Sequence, residues 1–239
     1  MNHHDFWQGK YPESIARTID TNIYPTILDL FKEACRKYAN KPAFSNMGRT
    51  LTFAEVDKYS ATFAAWIQQN TDLQVGDRIA VQMPNLLQYP IVVFGAMRAG
   101  LVIVNTNPLY TAREMEHQFK DAGCKALVTL ANFGQLVQEV LPKTGIRYVI
   151  ISELADMLPF PKRVVVNNIV KYVKKLVPAY HLPMAIPFTQ VMKANPSKLK
   201  DVTLQPDDIA VLQYTGGTTG VSKGAMLTHR SITSNMLQT

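Results

Sequence analysis

Short apolar runs alternating with helix-length amphipathic segments predict an α/β fold, a mostly parallel sheet flanked by helices. Three observations carry that expectation. Residues 77–83, 101–104, 125–130 and 148–151 are compact and rich in β-formers. Segments with apolar residues at helical spacing lie between them. Pro84, Gly100 and Gly123 punctuate the boundaries, with connections too short for anything but neighbouring elements. Right-handed crossovers then follow, and in such sheets ligands sit beyond the carboxyl ends of the strands.

Up to about residue 21 the chain is polar and irregular. Over 27–38, Ile27, Leu30, Phe31, Ala34 and Tyr38 recur at helical spacing behind Thr26, a helix-capping type. Residues 42–47 and 50–53, joined at Gly48-Arg49, read as a hairpin. A helix over 53–69 carries Val56, Phe63, Ala64 and Ile67 on its apolar face, with Thr52 and Glu55 at capping-box spacing. Strand 77–83 stops at Pro84, and a largely buried helix over 86–98 closes at Gly100. Strand 101–104 leads to a helix over 111–122 that ends at Gly123. Strand 125–130, a helix to about 141 and strand 148–151 continue the alternation.

Residues 159–206 break that rhythm, since seven of the fourteen prolines fall there, and read as a wrapping connection. Its exception is 165–177, which places Val165, Ile169, Val173, Leu176 and Val177 on one helical side and Lys171, Lys174 and Lys175 towards the other. Such a helix suits a packed surface with solvated lysines, or peripheral contact with an anionic membrane. Strand 209–213 and the start of a helix at 231 complete the chain.

At 239 residues, 47% hydrophobic and 18% charged, the chain can bury a sizeable core and lacks the bias of a disordered segment. Its net charge of +7 (25 basic against 18 acidic) suits anionic partners such as nucleotides, CoA phosphates or a membrane surface. No run of interleaved arginines and aromatics points to nucleic acid. Cys35 and Cys124 lie far apart without a CxxC or histidine pattern, which favours a reducing cytoplasm over a disulfide framework or a zinc site. His3 and His4 read as tail residues, and the first residues lack the apolar core of a signal peptide. The apolar span 91–104 contains Arg98 and two glycines and is too short to cross a bilayer.

Chemistry concentrates after residue 213, in Tyr214-Thr-Gly-Gly-Thr-Thr-Gly-Val-Ser-Lys-Gly-Ala225. The segment reads as a loop with four glycines, three threonines, one serine and one lysine, and no carboxylate. Glycines admit close approach of backbone N–H groups to an anion, hydroxyls add donors, and lysine adds a mobile positive charge. That composition suits a polyphosphate. The spacing is not that of a Walker A loop, because Val221 and Ser222 separate Gly220 from Lys223 and Gly224 follows the lysine. Nor is it a kinase-type glycine loop, with glycines at 216, 217, 220 and 224.

The full string resembles the AMP-binding signature of the adenylate-forming superfamily. Leu51-Thr-Phe-Ala-Glu55 is similar to that superfamily's first core motif, and Met97 to Pro108 to its second, in the same order. Met83-Pro-Asn-Leu-Leu-Gln-Tyr-Pro90, Asn107-Pro-Leu-Tyr-Thr111 and residues 170–183 resemble its bacterial long-chain fatty acid–CoA ligase branch. The resemblance implies that 1–239 is the N-terminal portion of the large adenylation domain. It further implies ATP, Mg²⁺ and CoA as cofactors, a long-chain fatty acid as substrate, and a cytoplasmic enzyme held peripherally at the inner membrane. A homodimer fits the family.

Matched residue by residue, the resemblance places Thr215, Gly216, Gly217, Thr218, Thr219 and Gly220 around the phosphates, with Val221, Ser222, Gly224 and Ala225 completing the loop. It makes Thr215 a Mg²⁺ contact and Lys223 a partner of the outer phosphates. Tyr214 either positions the nucleotide or is a packed strand-end aromatic. His229 reads as a core or capping residue before a catalytic one, and Leu86, Leu87, Leu109 and Tyr110 as core before acyl-tunnel lining. The family's adenine-binding stretch, magnesium carboxylate and adenylation lysine find no match here, so no catalytic residue is assigned and the 239 residues alone are expected not to turn over. The alternative is a non-catalytic module, derived from such an enzyme, that binds membrane or a partner.

Overall fold

A computed structural model describes residues 10, 12, 18–215 and 222–238. Six strands run parallel: β3 (Arg78–Gln82), β4 (Val102–Asn105), β5 (Cys124–Leu130), β6 (Tyr148–Ser152), β7 (Ile186–Pro187) and β8 (Ile209–Thr215). β9 (Lys223–Thr228) pairs antiparallel with β8, giving the order β7-β6-β5-β3-β4-β8-β9. β1 (Pro42–Asn46) and β2 (Arg49–Thr52) form a separate hairpin. The mostly parallel sheet expected from the alternation is therefore present. Two strands were not anticipated: β7, inside the proline-rich connection, and β9, inside the stretch expected to be loop and its continuation.

The helices are α1 (Ile27–Lys37), α2 (Phe53–Asn70), α3 (Gln88–Arg98), α4 (Ala112–Asp121), α5 (Gly134–Val140), α6 (Lys162–Asn168), α7 (Phe188–Val191) and α8 (His229–Leu237). Three of them begin on capping boxes, Thr26 with Asp29, Thr52 with Glu55 and Thr111 with Glu114. Each box pairs two backbone N–H groups that the first helical turn leaves without partners. In α1 the buried stripe is Ile27, Leu28, Phe31 and Cys35, rotated from the expected one, and Tyr38 is exposed.

Strand residues alternate between two cores, as the pleat requires. Ile79, Val81, Ile103, Val128, Ile150 and Val211 pack with α1, α2, α3 and α7. Ala80, Val104, Leu127, Val149, Ile151 and Tyr214 face the other way, against Met115 and Phe119 of α4 and Val137 and Val140 of α5. From β3 the chain passes through α3 to β4, then returns through α4 to β5 on the far side of β3. The direction of winding therefore reverses at β3, with α3 and α4 on opposite faces, and a crevice opens where the strand ends diverge.

The helix expected over 165–177 runs instead from Lys162 to Asn168 and continues as a wider π-type turn over Ile169–Val173. None of its residues is buried. Val165, Ile169, Val173 and Leu176 are 53, 41, 71 and 56% exposed, whereas Val177, expected on the same side, lies past the helical turns and packs against the α4–α5 core. No described helix is long and apolar enough to cross a membrane.

Candidate functional site

The carboxyl ends of β3, β4 and β8 border a cleft of about 400 Å³ whose lining carries amides, hydroxyls and apolar groups but no charge. Its floor is a hydrogen-bonded chain. The Tyr89 hydroxyl donates to Asn105 Oδ1 at 2.9 Å, and Asn105 Nδ2 donates to Gln213 Oε1 at 3.0 Å. Gln118 Nε2 of α4 donates to the Asn105 carbonyl at 2.9 Å, tying the floor to the helix beneath. Partial burial raises the Tyr89 phenol pKa above its ordinary value, so it remains a donor at neutral pH.

The β8–β9 hairpin rises beside this cleft. Its register pairs Tyr214 with Gly224 and Thr215 with Lys223. Tyr214 is buried, and its hydroxyl donates to Asp121 Oδ2 at the end of α4. Burial and the adjacent Asp121 carboxylate hold the phenol well above the usual tyrosine range, so it stays protonated. The aromatic ring lies against Gly224, where an added Cβ would sit 2.8 Å from Tyr214 Cε2. One turn back on α4, His117 Nε2 meets the Ser222 carbonyl at 3.0 Å. Thr215 and Lys223 are exposed at the hairpin end, and Lys223 makes no ion pair among the described residues.

The expected loop is shorter than the sequence suggested. Tyr214 and Thr215 extend β8, while Lys223, Gly224 and Ala225 belong to β9. Backbone pairing continues because Gly224 leaves room for the tyrosine that faces it. Gly216, Gly217, Thr218, Thr219, Gly220 and Val221 lie outside the described residues. Tyr214 is a packed strand-end aromatic whose ring face and hydroxyl are both engaged. His229 is buried, and its Nδ1 accepts from Ile27 N–H at 3.4 Å at the start of α1, a capping contact. Leu86 and Leu87 are core and Tyr110 packs at the edge of the α4–α5 core, whereas Leu109, expected in the core, is 87% exposed in the turn before α4.

No cluster of three or more His, Cys, Asp or Glu side chains able to hold a metal occurs among the described residues. A lone exposed hydroxyl at Thr215 fits Mg²⁺ only as a minor ligand, with phosphates and waters completing the shell. Tyr89, Asn105, His117 and Asp121 went unassigned from the sequence. Asn105 sits within a family-like string, whereas His117 and Asp121 are polar positions on an amphipathic helix, with no signal short of the fold. A second polar cavity of about 330 Å³, near Asp156, Arg163 and Asn167, contains none of the expected site residues.

The AMP-binding enzyme family model matches residues 31–239. The chain is 47% identical to a long-chain-fatty-acid–CoA ligase of Escherichia coli O6:H1 over 97% of its own length and 42% of that protein. It is 48% identical to the long-chain-fatty-acid–CoA ligase of Haemophilus influenzae, with the same coverage of each. The anthranilate CoA ligase AuaEII, solved with anthranoyl-AMP, superposes with a TM-score of 0.72 at 17% identity, over 89% of this chain and 37% of that one. The chain thus spans about 42% of the length of the curated relatives it matches.

Proposed function

This chain belongs to the AMP-binding enzyme family, and on that premise we propose that it is the N-terminal part of a long-chain fatty acid–CoA ligase. The observation that carries this reading is 46–48% identity to curated ligases of that kind across 97% of the chain. In the reaction, a fatty acid carboxylate oxygen attacks the α-phosphorus of ATP. An O–P bond forms, the bond to the β-phosphate bridge breaks, and pyrophosphate leaves. The CoA thiol then loses its proton and attacks the acyl carbonyl, and AMP departs.

This chain's contribution is to hold the outer phosphates while charge develops on the leaving pyrophosphate. Thr215 and Ser222 offer hydroxyl donors and Lys223 an ammonium, with Gly216 to Val221 between them in sequence. Mg²⁺ would supply further charge neutralisation there, with Thr215 as one ligand. A hydrogen bond to a charged group contributes about 1.5–3 kcal/mol. Lys223→Ala is therefore expected to weaken tripolyphosphate or ATP binding roughly tenfold or more. Calorimetry on the 239-residue chain tests this, and equal affinity for both proteins would sink the assignment. The 239 residues by themselves are expected to bind and not to turn over. Robust pyrophosphate exchange with palmitate would contradict that, and acyl-hydroxamate formation after completing the chain tests the whole reaction.

The uncovered apolar side of α6 and its continuation favours a second element, peripheral contact with the inner membrane. Phe160, Tyr172 and Val173 are 78, 65 and 71% exposed beside Lys171, Lys174 and Lys175. Basic residues near an anionic surface contribute about 1 kcal/mol each. Flotation with phosphatidylglycerol vesicles should fall when the three lysines are changed to glutamate. Undiminished flotation would remove this helix from the membrane, and a dimer in sedimentation would assign the face to a second copy.

A further inference from the structure

We propose that His117 and Asp121 are positioning residues that fix the end of the β8–β9 hairpin over the carboxyl edge of the sheet; their functional meaning rests on the phosphate-holding role proposed above. β8 pairs with β4 only as far as Gln213. Past that point Tyr214 and Thr215 have β9 as their only strand partner among the described residues, where β9 is the terminal strand of the sheet. The hairpin end therefore overhangs. An unsupported two-stranded ribbon is marginal in water.

Helix α4 supplies the missing support. His117 and Asp121 are four residues apart and share one face of the helix. Asp121 accepts from the Tyr214 hydroxyl on the entering strand, and His117 meets the Ser222 carbonyl just before the returning strand. The two contacts join residues 93 and 105 apart in sequence, one on each leg of the hairpin. Thr215 and Lys223 face each other between those anchors, so their position beside the cleft is set by α4. The same helix donates from Gln118 to the Asn105 carbonyl on the cleft floor, which makes α4 the common reference for both parts of the site.

Amide hydrogen exchange on the 239-residue chain tests the tether without any ligand. In His117→Ala and Asp121→Ala, amides of 213–215 and 222–226 should exchange roughly tenfold faster, while those of β5 stay unchanged. His117→Gln retains an N–H donor and Asp121→Asn an acceptor, so both should lie closer to wild type. These conservative variants keep the test valid if an alanine variant fails to fold. Unchanged exchange at the hairpin end in the folded variants overturns the tether. In the second arm, tripolyphosphate affinity should fall in step with exchange, and faster exchange with unaltered affinity overturns the positioning role. If the wild-type chain binds no tripolyphosphate, the function proposed above fails, while the exchange arm still decides the tether.

Discussion

Gly224→Ala isolates the steric fit on which the hairpin depends. Gly224 is outside the positive-φ region, so the backbone accepts any residue there. Without a clash, alanine in place of a strand glycine gains about 0.5–1 kcal/mol. Here the new Cβ would lie 2.8 Å from Tyr214 Cε2 and 3.0 Å from Cζ. Relief requires the ring to move, yet the ring is only 6% exposed and its hydroxyl is held by Asp121. Overpacking of this kind costs about 1–3 kcal/mol, and loss of the tyrosine–carboxylate bond adds about 1 kcal/mol, reduced because Asp121 is exposed. The net expectation is a loss of about 2 kcal/mol. With a urea slope of about 2.5 kcal/mol/M, the unfolding midpoint should fall by roughly 0.8 M. In a Tyr214→Leu background the same change should be neutral or stabilising, because the obstructing ring is gone. An unchanged or higher midpoint for Gly224→Ala alone would refute the packing argument.

Three further outcomes follow from individual residues. Burial holds the His229 imidazole below its ordinary pKa of 6.5, so the unfolded chain takes up the proton first as pH falls. Its stabilising contribution is complete above about 6.5 and is lost as pH falls through the lower folded value. The wild-type urea midpoint should therefore drop more between about pH 7.5 and 5 than that of His229→Gln, and parallel curves would contradict this. Cys35 and Cys124 are buried free thiols pushed up to about 11 and about 12 by desolvation, so a thiol reagent near pH 8 should label both only after unfolding. Rapid labelling of the folded chain would show that either is accessible. Met47 and Gly48 both have positive φ in the β1–β2 turn, a geometry that favours Asn-Gly. Met47→Asn should accordingly add about 0.5–1 kcal/mol in thermal or urea unfolding, and a loss would mean that the methionine side chain matters.

Local signals were legible where they act over a few residues. Thr26 and the pair Thr52 with Glu55 were readable because capping is settled within one turn. The strands in the two-sided core were readable because both faces demand apolar residues. β7 was hidden because two residues, Ile186 and Pro187, carry no pattern of their own and pair only once β6 is in place. β9 was hidden for a different reason. Lys223-Gly-Ala has the composition of a loop, and it becomes strand through the register with Tyr214 and Thr215. The amphipathic pattern of 165–177 does not become one helix, because the helical turns end at Val173, and such a pattern states which residues would share a side and not whether anything covers it. His117 and Asp121 had no local signature because their partners lie 105 and 93 residues away.

Charge along the carboxyl edge is arranged by pairing. Asp121 faces the Tyr214 hydroxyl, Glu114 caps the helix at Thr111, and Glu116 bridges Lys120 and Lys143, so the carboxylates of α4 are already engaged. The cleft floor is neutral, and Lys223 stands exposed without an ion-pair partner among the described residues. One exposed ammonium contributes at the low end of the range for charged hydrogen bonds, about 1.5 kcal/mol, to a phosphate contact. Micromolar affinity for a triphosphate needs about 8 kcal/mol. If the chain binds at that level, most of the affinity has to come from hydroxyl and main-chain donors of the Thr215–Ser222 stretch. Raising salt from about 0.05 to 0.5 M should then weaken tripolyphosphate binding only a few-fold. A loss of a hundredfold would place the interaction on diffuse surface charge and away from the hairpin.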